Sequence, residues 1–133
     1  MKAIDRVAIT VVRITGIAQV LLGLAFWTGR ALTLIPAHMV VGSLFVISLW
    51  VLALRVGFTG RGWGLAVFVV AWGAGVLAFG MTQAQILPGT YHWTIRFLHL
   101  LVGLVAMGLA DRLGRRLRGV RRGRVVVPSL RPA

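Results

Sequence analysis

A chain of 133 residues with 59% hydrophobic side chains, a mean hydropathy of +0.92 and a net charge of +13 lies outside the composition of soluble globular domains. Its only acidic residues are Asp5 and Asp111, and it has no cysteine, which excludes disulfides, thiolate metal sites, iron–sulfur clusters and covalent c-type haem attachment. The composition points to an integral membrane protein.

Crossing a hydrocarbon core about 30 Å thick takes about 20 helical residues, and four apolar segments are long enough. The first covers roughly residues 7–29 and carries Gly16, Gln19 and Gly23. Lys2 and Arg6 before it imitate the start of a signal peptide, but the apolar run is far longer than a signal core and no convincing small-x-small cleavage site precedes a polar mature sequence, so the segment is expected to be retained. After a short loop from Arg30 to Pro36, the second span, roughly 33–55, carries His38 and Gly42. The third, roughly 62–84, carries Trp72, Gly73, Gly75, Phe79 and Gly80, and a loop from Gln83 to Gly89 leads to the fourth, roughly 91–112, with Arg96, His99 and Gly103. The expected fold is all-α, an integral membrane antiparallel four-helix bundle built from two helical hairpins within residues 1–112. Residues 113–133 form a basic tail. Leu113, Leu117 and Val120 recur at helical spacing among its arginines, so its first part is expected to extend helix four as an amphipathic segment on lipid, while VVVPSLRPA reads as irregular and partly disordered.

Thirteen of the fifteen Lys and Arg residues lie near the N-terminus, between spans two and three, or in the tail; only Arg30 and Arg96 fall towards the other side. The positive-inside rule then places both termini in the cytoplasm, in a membrane with a negative inside such as the prokaryotic inner or plasma membrane. The same charge bias is accounted for by topology and contact with the lipid bilayer, so nucleic acid is not expected as a partner.

Two of the three histidines stand in apolar helix, in HMVVG (38–42) and HLLVG (99–103). Each half of the chain repeats one plan: a glycine-rich helix, a short loop with proline, and a returning helix with H-x-x-x-G near its start. His38 and His99 should therefore lie at matched depth near the outer face, on helices that oppose one another across a bundle. Residues i and i+4 share a helical face, so Gly42 and Gly103 extend the histidine faces as strips without side chains, opposite Gly23 and Gly80 (or Gly75). Either histidine alone could serve only as an interhelical hydrogen-bonding group. As a pair they match two axial donors to a flat apolar disc, with His38 and His99 as metal ligands and one haem b per chain. A compact non-haem metal site would need further carboxylate or thiolate ligands, and none lies near the two histidines.

This arrangement resembles the membrane b-type cytochromes, whose four-helix bundles clamp haem between histidines of two helices with glycines beneath the ring. The resemblance covers the architecture of residues 7–112 and rests on His38, Gly42, His99, Gly103 and the opposing Gly23 and Gly80. Two stacked haems occur in the best-known families of this kind, whereas a single histidine pair implies one haem near the outer face. Arg96, three residues outward of His99, is a candidate partner for the haem propionates, with Arg30 as a second candidate; snorkelling to the headgroups competes with that role. His92 reads as an interfacial residue beside Tyr91 and Trp93, and Trp27, Trp63 and Trp93 as belt anchors. Trp72 and Phe79 face either the haem or lipid. Gln19 and Gln83 are candidates for interhelical hydrogen bonds. The expected function is single-electron transfer within or beside a larger redox assembly, with a redox protein or quinone as partner and a homo- or hetero-oligomer in view. The alternatives are a cofactor-free structural or assembly subunit and a small transporter. No nucleophile, acid–base pair or nucleotide motif is visible, so side-chain catalysis is not predicted.

Overall fold

The computed structural model describes residues 3–60 and 62–124, with side chains described as far as Gly119. Its regular structure there is all helical: α1 (Ala3–Trp27), α2 (Ile35–Gly57), α3 (Trp63–Thr82) and α4 (His92–Arg124), with short 3-10 turns at Leu32–Leu34 and Gln83–Gln85. All four are long and apolar enough to cross a membrane. The expected irregular segment from Val125 onward lies outside the described residues.

The helix ends follow from local chemistry. Pro36 stands in the first turn of α2, where its missing N–H costs nothing. α2 stops at Gly57, and the turn into α3 needs glycine twice. Gly60 has φ +85°, and a side chain on Gly62 would meet the Val56 carbonyl oxygen at 2.7 Å. At the opposite end both loops hold a non-glycine residue in the left-handed region, Ala31 at φ 59° and Leu87 at φ 46°. α4 runs unbroken for 33 residues, about 50 Å at 1.5 Å per residue, so its arginine-rich last third projects beyond a hydrocarbon core of about 30 Å.

Contacts fix which ends meet. The start of α1 touches the end of α2 through Asp5 and Arg55, with the Arg55 Nε donating to Asp5 Oδ1 at 2.7 Å. Further along, Arg13 of α1 reaches Asp111 of α4 at 3.2 Å. These contacts, with the turn at 58–60, define an arginine-rich end. The opposite end is defined by Gln19 and Phe26 of α1 meeting His38 of α2, and Phe79 and Gly80 of α3 meeting His99 of α4. α1 and α3 each pack on α2 and α4, and α2 and α4 also touch each other across the middle.

The core is lopsided. Its buried apolar side chains are Ala8, Ile9 and Val12 on α1, Phe45 to Val56 on α2, Ala66 and Val69 on α3, and Ala106 to Leu117 on α4. All of these lie in the half towards the arginine-rich end. Ile95 is the one buried apolar residue in the histidine half among the described residues. At the border between the halves, glycines let bulky groups cross: Phe45 and Met107 close over Gly16, and Trp50 over Gly73. Two indoles stitch helices there. Trp50 Nε1 donates to the Val70 carbonyl at 3.1 Å and Trp72 Nε1 to the Val102 carbonyl at 3.3 Å. Trp72 therefore ties α3 to α4.

Candidate functional site

The inward face of each helix continues from the packed half into the open one. On α2 the buried positions Leu49, Val46 and Phe45 lead, at spacings of three and four, to Gly42 and His38; on α4, Leu113, Ala110 and Ala106 lead to Gly103 and His99. Val12 and Gly16 lead to Gln19 and Gly23 on α1, and Val69 and Gly73 to Gly80 on α3. Register alone thus directs every predicted haem-site residue except Arg96 to the inside of the bundle. There the packing loosens: His38, His99, Gln19, Gly23, Gly42, Gly80 and Gly103 are all half-buried rather than buried.

Each histidine is held by the helix that precedes its own. Phe26 presents an edge-to-face ring to His38, with centroids 5.2 Å apart, and Phe79 does the same to His99 at 5.6 Å. Of the two alternatives for Phe79, contact with the site rather than with lipid alone is what the fold provides. His38 and His99 each have a buried Nδ1 without a hydrogen-bond partner, and so does the Gln19 Oε1. These three are the buried side-chain nitrogen and oxygen atoms left unpaired among the described residues, and all lie in this one region. A buried polar group without a partner costs about 1–3 kcal/mol, so three at one place concentrate an unmet hydrogen-bonding demand in this region.

The glycines divide into two kinds. A side chain on Gly80 would sit 3.1 Å from the His99 Cε1, so Gly80 backs directly onto that imidazole. The space beside Gly42 is filled by the Gln19 carboxamide, whose Nε2 donates to the His38 carbonyl oxygen at 2.7 Å. Gln19 therefore makes the interhelical bond expected of it, and takes up part of the room ascribed to Gly42. Gly23, Gly75 and Gly103 face nothing within 4 Å. The two halves of the chain are thus alike in plan and different in detail. Glycine abuts the histidine in the second, glutamine bridges to it in the first.

Arg96 is exposed, and neither it nor Arg30 is ion-paired among the described residues, because both carboxylates lie at the opposite end. His92 opens α4, and its Nδ1 lies 3.3 Å from the Ile86 carbonyl, which fastens it to the loop rather than to the site. Trp27 is exposed and leans on Phe97 at 6.4 Å between centroids. No group of three His, Asp or Glu side chains converges among the described residues. Two features escaped the sequence reading: the Phe26 contact, signalled only by its position on the Gln19 and Gly23 face, and the ion pairs of Asp5 and Asp111. Comparisons with family models, curated proteins and solved structures gave no match.

Proposed function

We propose that the protein is a membrane-embedded b-type haem protein, an antiparallel bundle of two hairpins with both termini in the cytoplasm, that carries single electrons. The observation that carries this reading is the pair of inward-facing imidazoles, from α2 and α4, each with an unpartnered buried nitrogen, in the half of the bundle that lacks a packed core. The donor set fits a bis-imidazole haem. No protein donor competes for the unpartnered nitrogens, and the open glycine strips of Gly23 and Gly103 accept a flat apolar group.

His38 and His99 would hold the iron, and a haem bound there supplies a one-electron couple. The chain's own residues set its surroundings. Phe26 and Phe79 restrict rotation of the imidazoles, Gly80 admits His99 against α3, and Gln19 anchors the backbone that bears His38. Arg96 and Arg30, which have no carboxylate partner among the described residues, would neutralise propionates directed to the outer surface. A redox protein or a quinone would exchange electrons at that face, and assembly with further subunits is part of the proposal.

A second reading is favoured by one contact. Because the Gln19 carboxamide fills the space beside Gly42, the glycines can be read as helix-packing devices of a cofactor-free assembly subunit. A spectrum separates the two. Protein purified in detergent from haem-replete cells and reduced with dithionite is expected to give sharp low-spin b-type bands, which disappear in His38→Ala and His99→Ala. Colourless wild-type protein would refute the haem reading and leave the assembly role.

A further inference from the structure

At the arginine-rich end, α1 and α4 enclose a small cavity of about 40 Å³ that belongs to no part of the histidine site. Its walls are apolar: Ile9 and Val12 from α1, Met107 and Ala110 from α4. Its mouth is charged. Asp111 accepts hydrogen bonds from both Arg13, across the helix interface, and Arg115, one turn along α4. One carboxylate thus holds two guanidiniums in place at the rim, and their combined charge remains +1. Arg118 adds a third cation, its Nη1 lying 3.7 Å from where a side chain on Gly114 would begin. Gly114 keeps the wall low beside Ile9.

We infer that this α1–α4 groove is a binding site for an anionic phospholipid, its phosphate on the Arg13, Arg115 and Arg118 guanidiniums and the upper part of an acyl chain against Ile9, Val12 and Met107. The geometry has the chemistry of each part of that ligand. Arg13 and Arg115 are more than half exposed while pinned by Asp111, so each keeps donors free for phosphate oxygens without having to be ordered first. Depth agrees as well. From His92 to Asp111 is 20 residues, about 30 Å of helix, which is the hydrocarbon thickness. That sets Asp111 and its arginines at the headgroup level and Met107 just within the acyl region. A zwitterionic headgroup would bring its own cation to a rim already in positive excess, so the site discriminates by charge. The inference relies on the membrane placement proposed above and is independent of the haem.

Native mass spectrometry of the detergent-purified full chain, titrated with phosphatidylglycerol or phosphatidylcholine of equal chain length, tests it. The expected result is a preference for phosphatidylglycerol of roughly tenfold or more, since one well-placed charge-assisted contact is worth about that factor. Binding should fall by a similar factor in Arg13→Gln/Arg115→Gln, and in Gly114→Leu, which plugs the groove and keeps every charge. Arg112→Gln/Arg116→Gln removes the same charge from α4 outside this rim and should leave the preference intact. Equal binding of the two lipids would overturn the inference, as would an equal loss in the two double variants, the mark of non-specific attraction. Competition by inorganic phosphate at the lipid's own concentration would reassign the site to a free anion. The b-type bands should persist in the lipid-site variants, so failure here and failure of the haem proposal are separately visible.

Discussion

At the scale of single residues, the glycines give the sharpest distinction between a haem site and a merely loose bundle. Gly80 and Gly23 occupy the inward faces of α3 and α1 in the histidine half, yet one touches an imidazole and the other meets nothing within 4 Å. Alanine at Gly80 would press on the His99 Cε1 from 3.1 Å, and valine would displace the ring. Overpacking of this kind costs about 1–3 kcal/mol, roughly a 5- to 150-fold loss of haem occupancy if His99 is a ligand. Alanine at Gly23 has open space and should change occupancy less than about twofold; tryptophan there would fill the opening and abolish binding. Soret absorbance per chain, with helix content checked by circular dichroism, reads both. Full occupancy in Gly80→Val and in Gly23→Trp would show that these glycines do not border the cofactor. The sequence made His38, His99 and their i+4 glycines visible, because polar residues in an apolar helix stand out. It could not show that Gln19 would take the space beside Gly42, since side-chain occupancy depends on how close α1 and α2 approach.

At the scale of elements, hydropathy marked the helices to within a few residues except at the end of α4, which runs twelve residues past the expected span to Arg124, but not what fastens them together. Lipid is as apolar as leucine, so helices in a membrane gain from packing and polar contacts rather than from escape from water. The Asp5–Arg55 pair is such a fastening between α1 and α2. Asp5 is nearly fully buried, lies in the first turn of α1, and meets an arginine in the last turn of α2, so each charge also suits the helix end that carries it. Nothing in the spacing of residues 5 and 55 announces this. A basic rim predicts topology in bulk, while the choice of one arginine by one aspartate depends on the tertiary fold. Removing one member breaks this bond between α1 and α2 while the other charge stays at the interface, which costs more than removing both. Asp5→Asn or Arg55→Met should lower stability by about 2–4 kcal/mol, and Asp5→Leu/Arg55→Met by less than either. Unfolding midpoints in mixed micelles decide the matter: losses that simply add in the double variant would mean that the pair does not act as a unit.

At the scale of the whole molecule, one half is close-packed and closed by ion pairs, while the other carries the histidines, the unpartnered polar atoms and two loops with left-handed non-glycine residues. The rigid half can hold α2 and α4 at a fixed separation, so that the inward faces of the open half are presented to a ligand without having to collapse on each other. This division was partly legible, because the two H-x-x-x-G stretches fall in the same half of the spans. Its position was not, since Phe45, Trp50 and Met107 set the border by closing over Gly16 and Gly73. The division also implies a direction. If the arginine-rich end faces the cytoplasm, the histidine half opens outward, and the chain allows a clean test because it has no cysteine of its own. Thr28 lies in the exposed loop after α1 and Thr59 in the exposed turn after α2, at opposite ends of the bundle. In intact cells a membrane-impermeant maleimide should label Thr28→Cys and leave Thr59→Cys unmodified until the membrane is permeabilised. The reverse pattern would place the histidines and Arg96 on the cytoplasmic side, and with them the face at which electrons are exchanged. Labelling of both in intact cells would mean that the helices do not separate two compartments, and the membrane placement on which the lipid groove depends would fall.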